Sequence, residues 1–404
     1  MSDARHPQIC VAIACGGTGG HLFPGLAVGR ELLRTGCSVR LLVSPKEVDQ
    51  QAVKAVRGME VSILPAVGLQ RGQRVAFLVG FLKSYQTARR IFRERPPQVV
   101  LGMGGFTSAP PILAGRRSGA RTFLHESNTI PGRANRWLAR VVERAFVGFQ
   151  TTVPLLPRVG VSVTGTPVRE EFCGQSAEQC RKSMGLDLAT PVLLVMGGSQ
   201  GAGGINRLMF EAVRLLAESA LRPQVIHLTG LADAQAAQRV YSAAGIRAVV
   251  FPFYDRMETA LGAATLAISR AGASSLAELA AARLPSILIP FPAAADNHQY
   301  FNARAFEGSG AALLLPQSTA NPARLVEMVA QICGSDTARD SMCRALTRWH
   351  MPGAAAEIAR LMLAELPASA GARCSATAGG TPQPPSGGSE LSFQTGVAAG
   401  GVER

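Results

Sequence analysis

Short runs of Val, Ile and Leu alternate with longer stretches in which apolar residues recur at helical spacing, and this alternation continues along most of the chain. It is the pattern of parallel βα units. A strand covered on both faces reads as a continuous apolar run, and the helix that crosses back covers it with one face. Strands are expected to begin at Ile9, Val39, Val61, Val99, Arg121, Ala145 and Val161, and in the second half at Val192, Gln224, Ala248, Leu266, Ser286 and Ala311. The fold class that follows is α/β, with two Rossmann-like, doubly wound parallel sheets facing across a cleft. The expected division is a first domain over 1–165, a second over 166–350, a C-terminal helix within 351–366 that crosses back, and a disordered tail over 367–404. In the tail, Ala, Gly, Ser, Thr and Pro replace any apolar periodicity.

A length of 404 residues suits two cores better than one, and 47% hydrophobic against 17% charged residues marks a globular chain. The net charge of +14 changes the picture more, because it is one-sided. From Met1 to Gly165 there are 22 Lys/Arg against 8 Asp/Glu, whereas the remainder carries 19 of each. A basic half attracts phosphate, nucleic acid or an anionic bilayer. An arginine-rich composition accounts for part of the excess, since only 4 of the 41 cations are lysine, but not for its confinement to one half.

The eight cysteines show no C-x-x-C pair and no zinc spacing with histidine, so reduced thiols in a cytosolic protein are expected. The apolar run Ile9–Cys15 opens into glycines and does not read as a signal peptide. The other long apolar stretch, Val75–Leu82, is far short of the ~20 residues of a spanning helix. Contact with a membrane would therefore be peripheral. The stretch Leu69–Arg93 offers a surface for it, with Val75, Phe77, Leu78, Phe81 and Leu82 set among Arg71, Arg74, Lys83, Arg89 and Arg90. The same composition also suits a core helix with a solvated basic face.

Candidate chemistry lies in the turns that follow strands. Gly17-Thr18-Gly19-Gly20-His21 joins a strand to a helix, where backbone N–H groups and the helix N-terminus favour an anion. Leu22 stands where a dinucleotide fingerprint needs its third glycine, and no G-K-[ST] follows, so nicotinamide enzymes and P-loop kinases are disfavoured. A second such turn, Gly197–Gly203, carries Ser199 and Gln200. Downstream, Ser269-Arg270-Ala271-Gly272-Ala273-Ser274-Ser275 opens a helix whose first turns hold Leu276, Ala277 and Glu278. A carboxylate there suits the two hydroxyls of a ribose, although an acid early in a helix also answers the helix dipole alone. The polar run Asp296–Asn302 brings His298, Gln299 and Asn302, and amides read sugar hydroxyls by donating and accepting together.

The segments GGTGGHLFPGLA, LGMGGFTSAP, HESNTIPGRANRWLA, GTPVR, GGSQGAGGIN, SRAGASSLAELAAARLP and DNHQYFNA occur in one order between Ile9 and Leu366. Together they resemble the MurG family of peptidoglycan N-acetylglucosaminyltransferases, in glycosyltransferase family 28. The resemblance implies a GT-B fold and transfer of N-acetylglucosamine from UDP-GlcNAc to the MurNAc 4-hydroxyl of a lipid-linked MurNAc-pentapeptide. It implies inversion at the anomeric carbon, no cofactor and no metal, no nucleic-acid partner, and peripheral attachment to the anionic cytoplasmic face of the plasma membrane.

By position the resemblance assigns Ser199 to the diphosphate, Tyr254 to the uracil, Glu278 to the ribose, Gln299 and Asn302 to the sugar, and Ala273–Leu276 to backbone contacts, with Ala277 also in the substrate site. Thr18, Gly19, Gly20, Asn128 and Arg169 match positions that touch the donor from the other lobe. His21 is the first candidate base, with His125 and Glu126 behind it. As an alternative, a neutral His21 hydrogen-bonds the acceptor pyrophosphate. The chain departs from the common family pattern at Phe106, Ser127 and Thr166, where Tyr, Gln and Asn are usual. Three other classes share parts of this pattern. A UDP-GlcNAc 2-epimerase has no need of a basic lipid-facing half, and the HESN and GGFTSAP segments argue against a diacylglycerol glycosyltransferase. A non-catalytic sugar-nucleotide-binding subunit has no need of both lobes in one chain.

Overall fold

The computed structural model describes residues 8–17, 19–46, 57–65, 74–198 and 201–367. Two wholly parallel sheets organise them. The first contains β1 (Cys10–Ala14), β2 (Ser38–Val43), β3 (Glu60–Ile63), β4 (Val99–Gly102), β5 (Arg121–Glu126), β6 (Arg144–Val147) and β7 (Gly160–Val163), in the order β3-β2-β1-β4-β5-β6-β7. The second contains β8 (Val192–Met196), β9 (Gln224–Leu228), β10 (Ala248–Phe251), β11 (Leu266–Ser269), β12 (Ser286–Leu288) and β13 (Leu313–Leu314), in the order β10-β9-β8-β11-β12-β13. Seven of these strands begin at the expected residue and five begin one residue away from it. Only β13 starts two residues late, because Ala311 and Ala312 are buried in the turn before it.

Every residue of β1, β4, β8 and β11 is buried, which is what helices on both faces of a parallel sheet demand. The expected helix over 353–366 runs from Ala354 to Ala364 after Gly353, which is at φ +85°. It packs along the first helix of the chain, Gly19–Arg34, and Ile358, Ala359 and Met362 are buried in the core of the first sheet. The polypeptide therefore enters the second lobe near residue 170 and returns to finish the first. Beyond 367 the tail lies outside the described residues.

In both sheets the chain reverses its direction of winding at the first strand. β1 lies between β2 and β4, and β8 between β9 and β11. The loops leaving the carboxyl ends of β1/β4 and β8/β11 therefore diverge and leave a crevice, the place where open α/β sheets take ligands. The two crevices face each other.

Candidate active site in the interlobe cleft

A cleft of about 1360 Å³ lies between the lobes and is lined by loops from the carboxyl ends of both sheets. From the first lobe come Gly19, Gly20 and His21 at a helix start, Gly105 and Phe106 after β4, and Glu126 and Asn128 after β5. The second contributes Gly198, Tyr254, Ala273, Ser274, Ser275, Glu278, His298 and Gln299, with Arg169 at the junction. Most of the residues singled out in the sequence thus meet in one place. Thr18 and Ser199 lie outside the described residues, as do Gln200 and Arg71.

Two helix N-termini converge here from opposite lobes. Ser274, in the first turn of the helix Ala273–Ala281, donates its hydroxyl to the carbonyl of Gly20 at 2.9 Å, so that helix start abuts the start of Gly19–Arg34. Both dipoles present their positive ends to the cleft. The glycine-rich turn before the first helix is held from behind. Thr107 donates to Gly16 O at 2.6 Å, and the Lys46 ammonium to Gly17 O at 2.8 Å. Gly16 has no room for a Cβ, which would sit 2.3 Å from Ser44 N.

Arg169 adds a full charge. Its guanidinium lies over the rings of Phe23 and Phe172, 5.2 and 4.8 Å from their centroids, and its Nε is buried without a partner among the described residues. Opposite it, burial pushes the Glu278 carboxyl up to about 7, against the opposing attraction of Arg169. The ring of Tyr254 stacks on Phe251 with centroids 4.4 Å apart, fixing an aromatic face at the end of β10. Gln299 accepts the Phe291 N–H at 3.0 Å through Oε1. Just before it, Asp296 and Asn297 take φ of +49° and +55°, a strained left-handed turn at the cleft wall of the kind found at functional sites.

His21 lies against the Gly104–Gly105 turn. A Cβ at Gly104 would be 3.0 Å from its Cε1, and one at Gly105 3.2 Å from its Nε2. The other two base candidates have different roles. His125 is fully buried and its Nε2 pairs with Gly165 O at 3.0 Å, so burial holds it neutral and away from the cleft. Glu126 reaches the cleft, but four donors engage its carboxylate. Oε1 accepts from the N–H and amide of Asn128, and Oε2 from Gly132 N and the Asn135 amide, all at 2.9–3.0 Å. Through these four bonds the Glu126 carboxylate ties the loop 126–135 together.

Three further residues are set back from the cleft lining. Asn302 is wholly buried between the lobes and does not line the cleft. Leu276 packs its side chain into the core of the second lobe and Ala277 is set back on the same helix, and neither placement bears on the backbone contacts expected there. The departures at Ser127 and Thr166 have local explanations. The Ser127 hydroxyl pairs with His125 Nδ1 at 3.2 Å, and Thr166 packs against Gly148, where a Cβ would meet its Oγ1 at 2.7 Å. Phe106 keeps its ring at the cleft wall without a phenolic oxygen. Sequence reasoning missed Lys46 as a brace of the first turn and Asp296 as a partner of Arg133 and Arg136. Both act through tertiary contacts that spacing does not encode. Among the described residues, no group of three or more His, Cys, Asp or Glu is placed to hold a metal ion.

Two parallel-sheet lobes, with a nucleotide-sized, anion-seeking cleft between the carboxyl ends of their strands, define a GT-B glycosyltransferase. Residues 11–147 match the glycosyltransferase family 28 N-terminal domain and residues 192–358 its C-terminal domain. The chain belongs to glycosyltransferase family 28.

A relative in Pseudomonas fluorescens strain Pf-5 is named UDP-N-acetylglucosamine–N-acetylmuramyl-(pentapeptide) pyrophosphoryl-undecaprenol N-acetylglucosamine transferase. It is 36% identical over 363 residues, covering 87% of this chain and 98% of its own. The protein of the same name in Stutzerimonas stutzeri is 39% identical over 326 residues, covering 80% of this chain and 89% of its own. A crystal structure of Acinetobacter baumannii MurG superposes with a TM-score of 0.69 at 27% identity, covering 88% of this chain and 99% of that one.

Proposed function

We propose that this protein transfers N-acetylglucosamine from UDP-GlcNAc to the MurNAc 4-hydroxyl of undecaprenyl-pyrophosphoryl-MurNAc-pentapeptide, forming the disaccharide-pentapeptide lipid used for peptidoglycan. The observation that carries this reading is the cleft itself, where two helix N-termini and Arg169 meet beside Glu278. Leaving UDP develops charge on its diphosphate, and oriented N–H groups with one guanidinium stabilise that charge. Arg169, Gly19, Gly20 and the turn Ala273–Ser275 hold the diphosphate, together with Thr18 and Ser199. Glu278 accepts the ribose hydroxyls, Tyr254 flanks the uracil, and Gln299 and His298 face the sugar. Asn128 completes the donor side, and His21 takes the proton of the attacking hydroxyl.

In this reading the first lobe, 1–165, binds the acceptor and the membrane, and the second, 166–350, binds the donor, while 351–366 returns to the first. No helix of the described residues is long and apolar enough to cross a membrane. The first half of the helix Arg74–Glu94 instead exposes Val75 at 76%, Leu78 at 59% and Leu82 at 56%, and Phe77 on the same helix lines the cleft. An apolar face continuous with the cleft suits an acceptor delivered from the anionic cytoplasmic leaflet, with Lys83, Arg89 and Arg90 nearby.

The test is to supply UDP-GlcNAc with lipid-linked MurNAc-pentapeptide, with diacylglycerol, or alone, and to follow UDP release and the lipid product. Release with only the first acceptor is expected. Conversion of the sugar nucleotide alone, or transfer to diacylglycerol, would replace the reading.

A further inference from the structure

We propose that Asn302 is a positioning residue for the transfer. It ties the Glu126-braced loop of the first lobe to the helix-start turn of the second, so that the acceptor and donor halves of the cleft are held in register. The inference rests on the cleft being the place of transfer.

A side-chain amide offers two donors and one acceptor oxygen with two lone pairs, and Asn302 uses all four capacities. Its Oδ1 accepts the N–H and the hydroxyl of Thr129, both at 2.9 Å. Its Nδ2 donates to Asn128 Oδ1 at 3.0 Å and to Ala271 O at 3.1 Å. The first three bonds reach the loop after β5 of the other lobe. The fourth grips the backbone directly ahead of Gly272–Ser275, the turn that lines the donor side. From Asn128 the connection continues to Glu126, which in turn holds Gly132 and Asn135. A path therefore runs Glu126–Asn128–Asn302–Ala271, half-buried at Asn128 and buried at the other three, and joins one cleft wall to the backbone just ahead of the other.

The ion pairs of Asp296 supply an independent second observation. Six residues before Asn302, the Asp296 carboxylate accepts from Arg133 at 3.2 Å and Arg136 at 2.7 Å. The segment 296–302 of the second lobe thus grips the loop 126–136 of the first at both ends. The outer grip is exposed and weak in water, whereas the inner one is dry. In a dry site, removing one partner leaves Thr129 N–H and Asn128 Oδ1 unsatisfied, and the register of the lobes loosens. Transfer requires the attacking oxygen about 3–3.5 Å from its carbon, so a shift of that order lowers turnover more than it lowers binding to either lobe alone.

The test compares Asn302→Ala, Asn302→Asp and Thr129→Val with wild type. In Asn302→Ala, kcat is expected to fall about 100-fold. The dissociation constants of UDP and of UDP-GlcNAc should each change less than about threefold, and the Thr129 amide should lose protection in hydrogen exchange. Asn302→Asp keeps the acceptor for Thr129 but sets a carboxylate oxygen against Asn128 Oδ1 and Ala271 O, so its kcat should fall at least as far. Adding Thr129→Val to Asn302→Ala should lower kcat little further, as expected of residues on one path. Loss of UDP-GlcNAc affinity with UDP affinity intact would make Asn302 a sugar contact and overturn the proposal. So would unchanged kcat with unchanged exchange at Thr129. If Asn302→Ala does not melt cooperatively, Thr129→Val, which keeps the N–H and removes one bond, is read in its place, and unchanged kcat there overturns the proposal. Absence of turnover by wild type would instead discard the transferase reading, and the exchange at Thr129, which needs no substrate, still tests the tie.

Discussion

Arg169 and Glu278 both line the cleft, close enough for the guanidinium to act on the carboxyl. The guanidinium draws the carboxyl down, desolvation pushes it up, and desolvation prevails, leaving the acid at about 7. Binding of a ribose to the ionised form should therefore be governed by pH near neutrality. The diphosphate of UDP-GlcNAc, a diester, does not titrate in this range, so the affinity for UDP-GlcNAc is expected to rise between about pH 6 and 8. Glu278→Gln should abolish that rise and weaken binding about tenfold at pH 8. Calorimetry across this range checks both. A pH-independent wild type would remove Glu278 from the donor site.

The same group makes a prediction about stability. Its folded value lies above the ordinary 4.5, so the folded state holds the proton more tightly than the unfolded chain does. The stability gained from that proton is complete below about 4.5 and is lost as pH rises towards 7. Glu278→Gln should flatten this part of the stability curve, as read from urea midpoints at pH 4.5, 6 and 7.5. A curve with the same slope in the variant would assign the effect to other groups.

Gly104 and Gly105 position His21 by leaving room for its ring, and both sit at positive φ, +107° and +72°. Gly105→Ala would press a methyl against Nε2 in a backbone conformation that alanine adopts with strain. We expect kcat to fall about 100-fold with UDP affinity unchanged, in parallel with His21→Ala, which removes the proposed base. Normal turnover by His21→Ala would exclude that role.

The returning helix is part of the first core. Ile358 is completely buried against it, and Ile358→Ala should cost about 2–5 kcal/mol of stability. Ending the chain after Pro367 should leave both melting and turnover as in the full protein. A truncated protein that is folded but inactive would give the tail a function.

Attachment to membranes should depend on Val75, Leu78 and Leu82, each worth roughly 1.5–3 kcal/mol when buried in the interface. Replacing the three by Ser should reduce flotation with anionic vesicles while turnover of a short-chain, water-soluble acceptor stays constant. Binding of the wild type should fall with salt, because the cations nearby are screened. Equal flotation of variant and wild type would move the docking surface elsewhere.

The positions of the strands, the two glycine-rich helix starts and most of the cleft residues were legible in the chain, because each is local. A buried parallel strand must be a continuous apolar run, and a backbone that approaches an anion must be glycine-rich. The seven ordered motifs located Glu278, Arg169 and His21 for the same reason, since each stands at a fixed step from a strand end. The bonding of Glu126 and Asn302 was not legible. Both are polar residues in polar motifs, and spacing gives a carboxylate with four donors and a carboxylate awaiting a proton the same letter. Only the folded chain decides which polar atoms satisfy one another at separations of 160 residues or more, as with Asp296 and Arg136 or Asn302 and Thr129. The sequence determined two sheets and the chemistry at their edges. The packing of one lobe on the other decided which of those groups face a substrate and which are engaged in holding the lobes together.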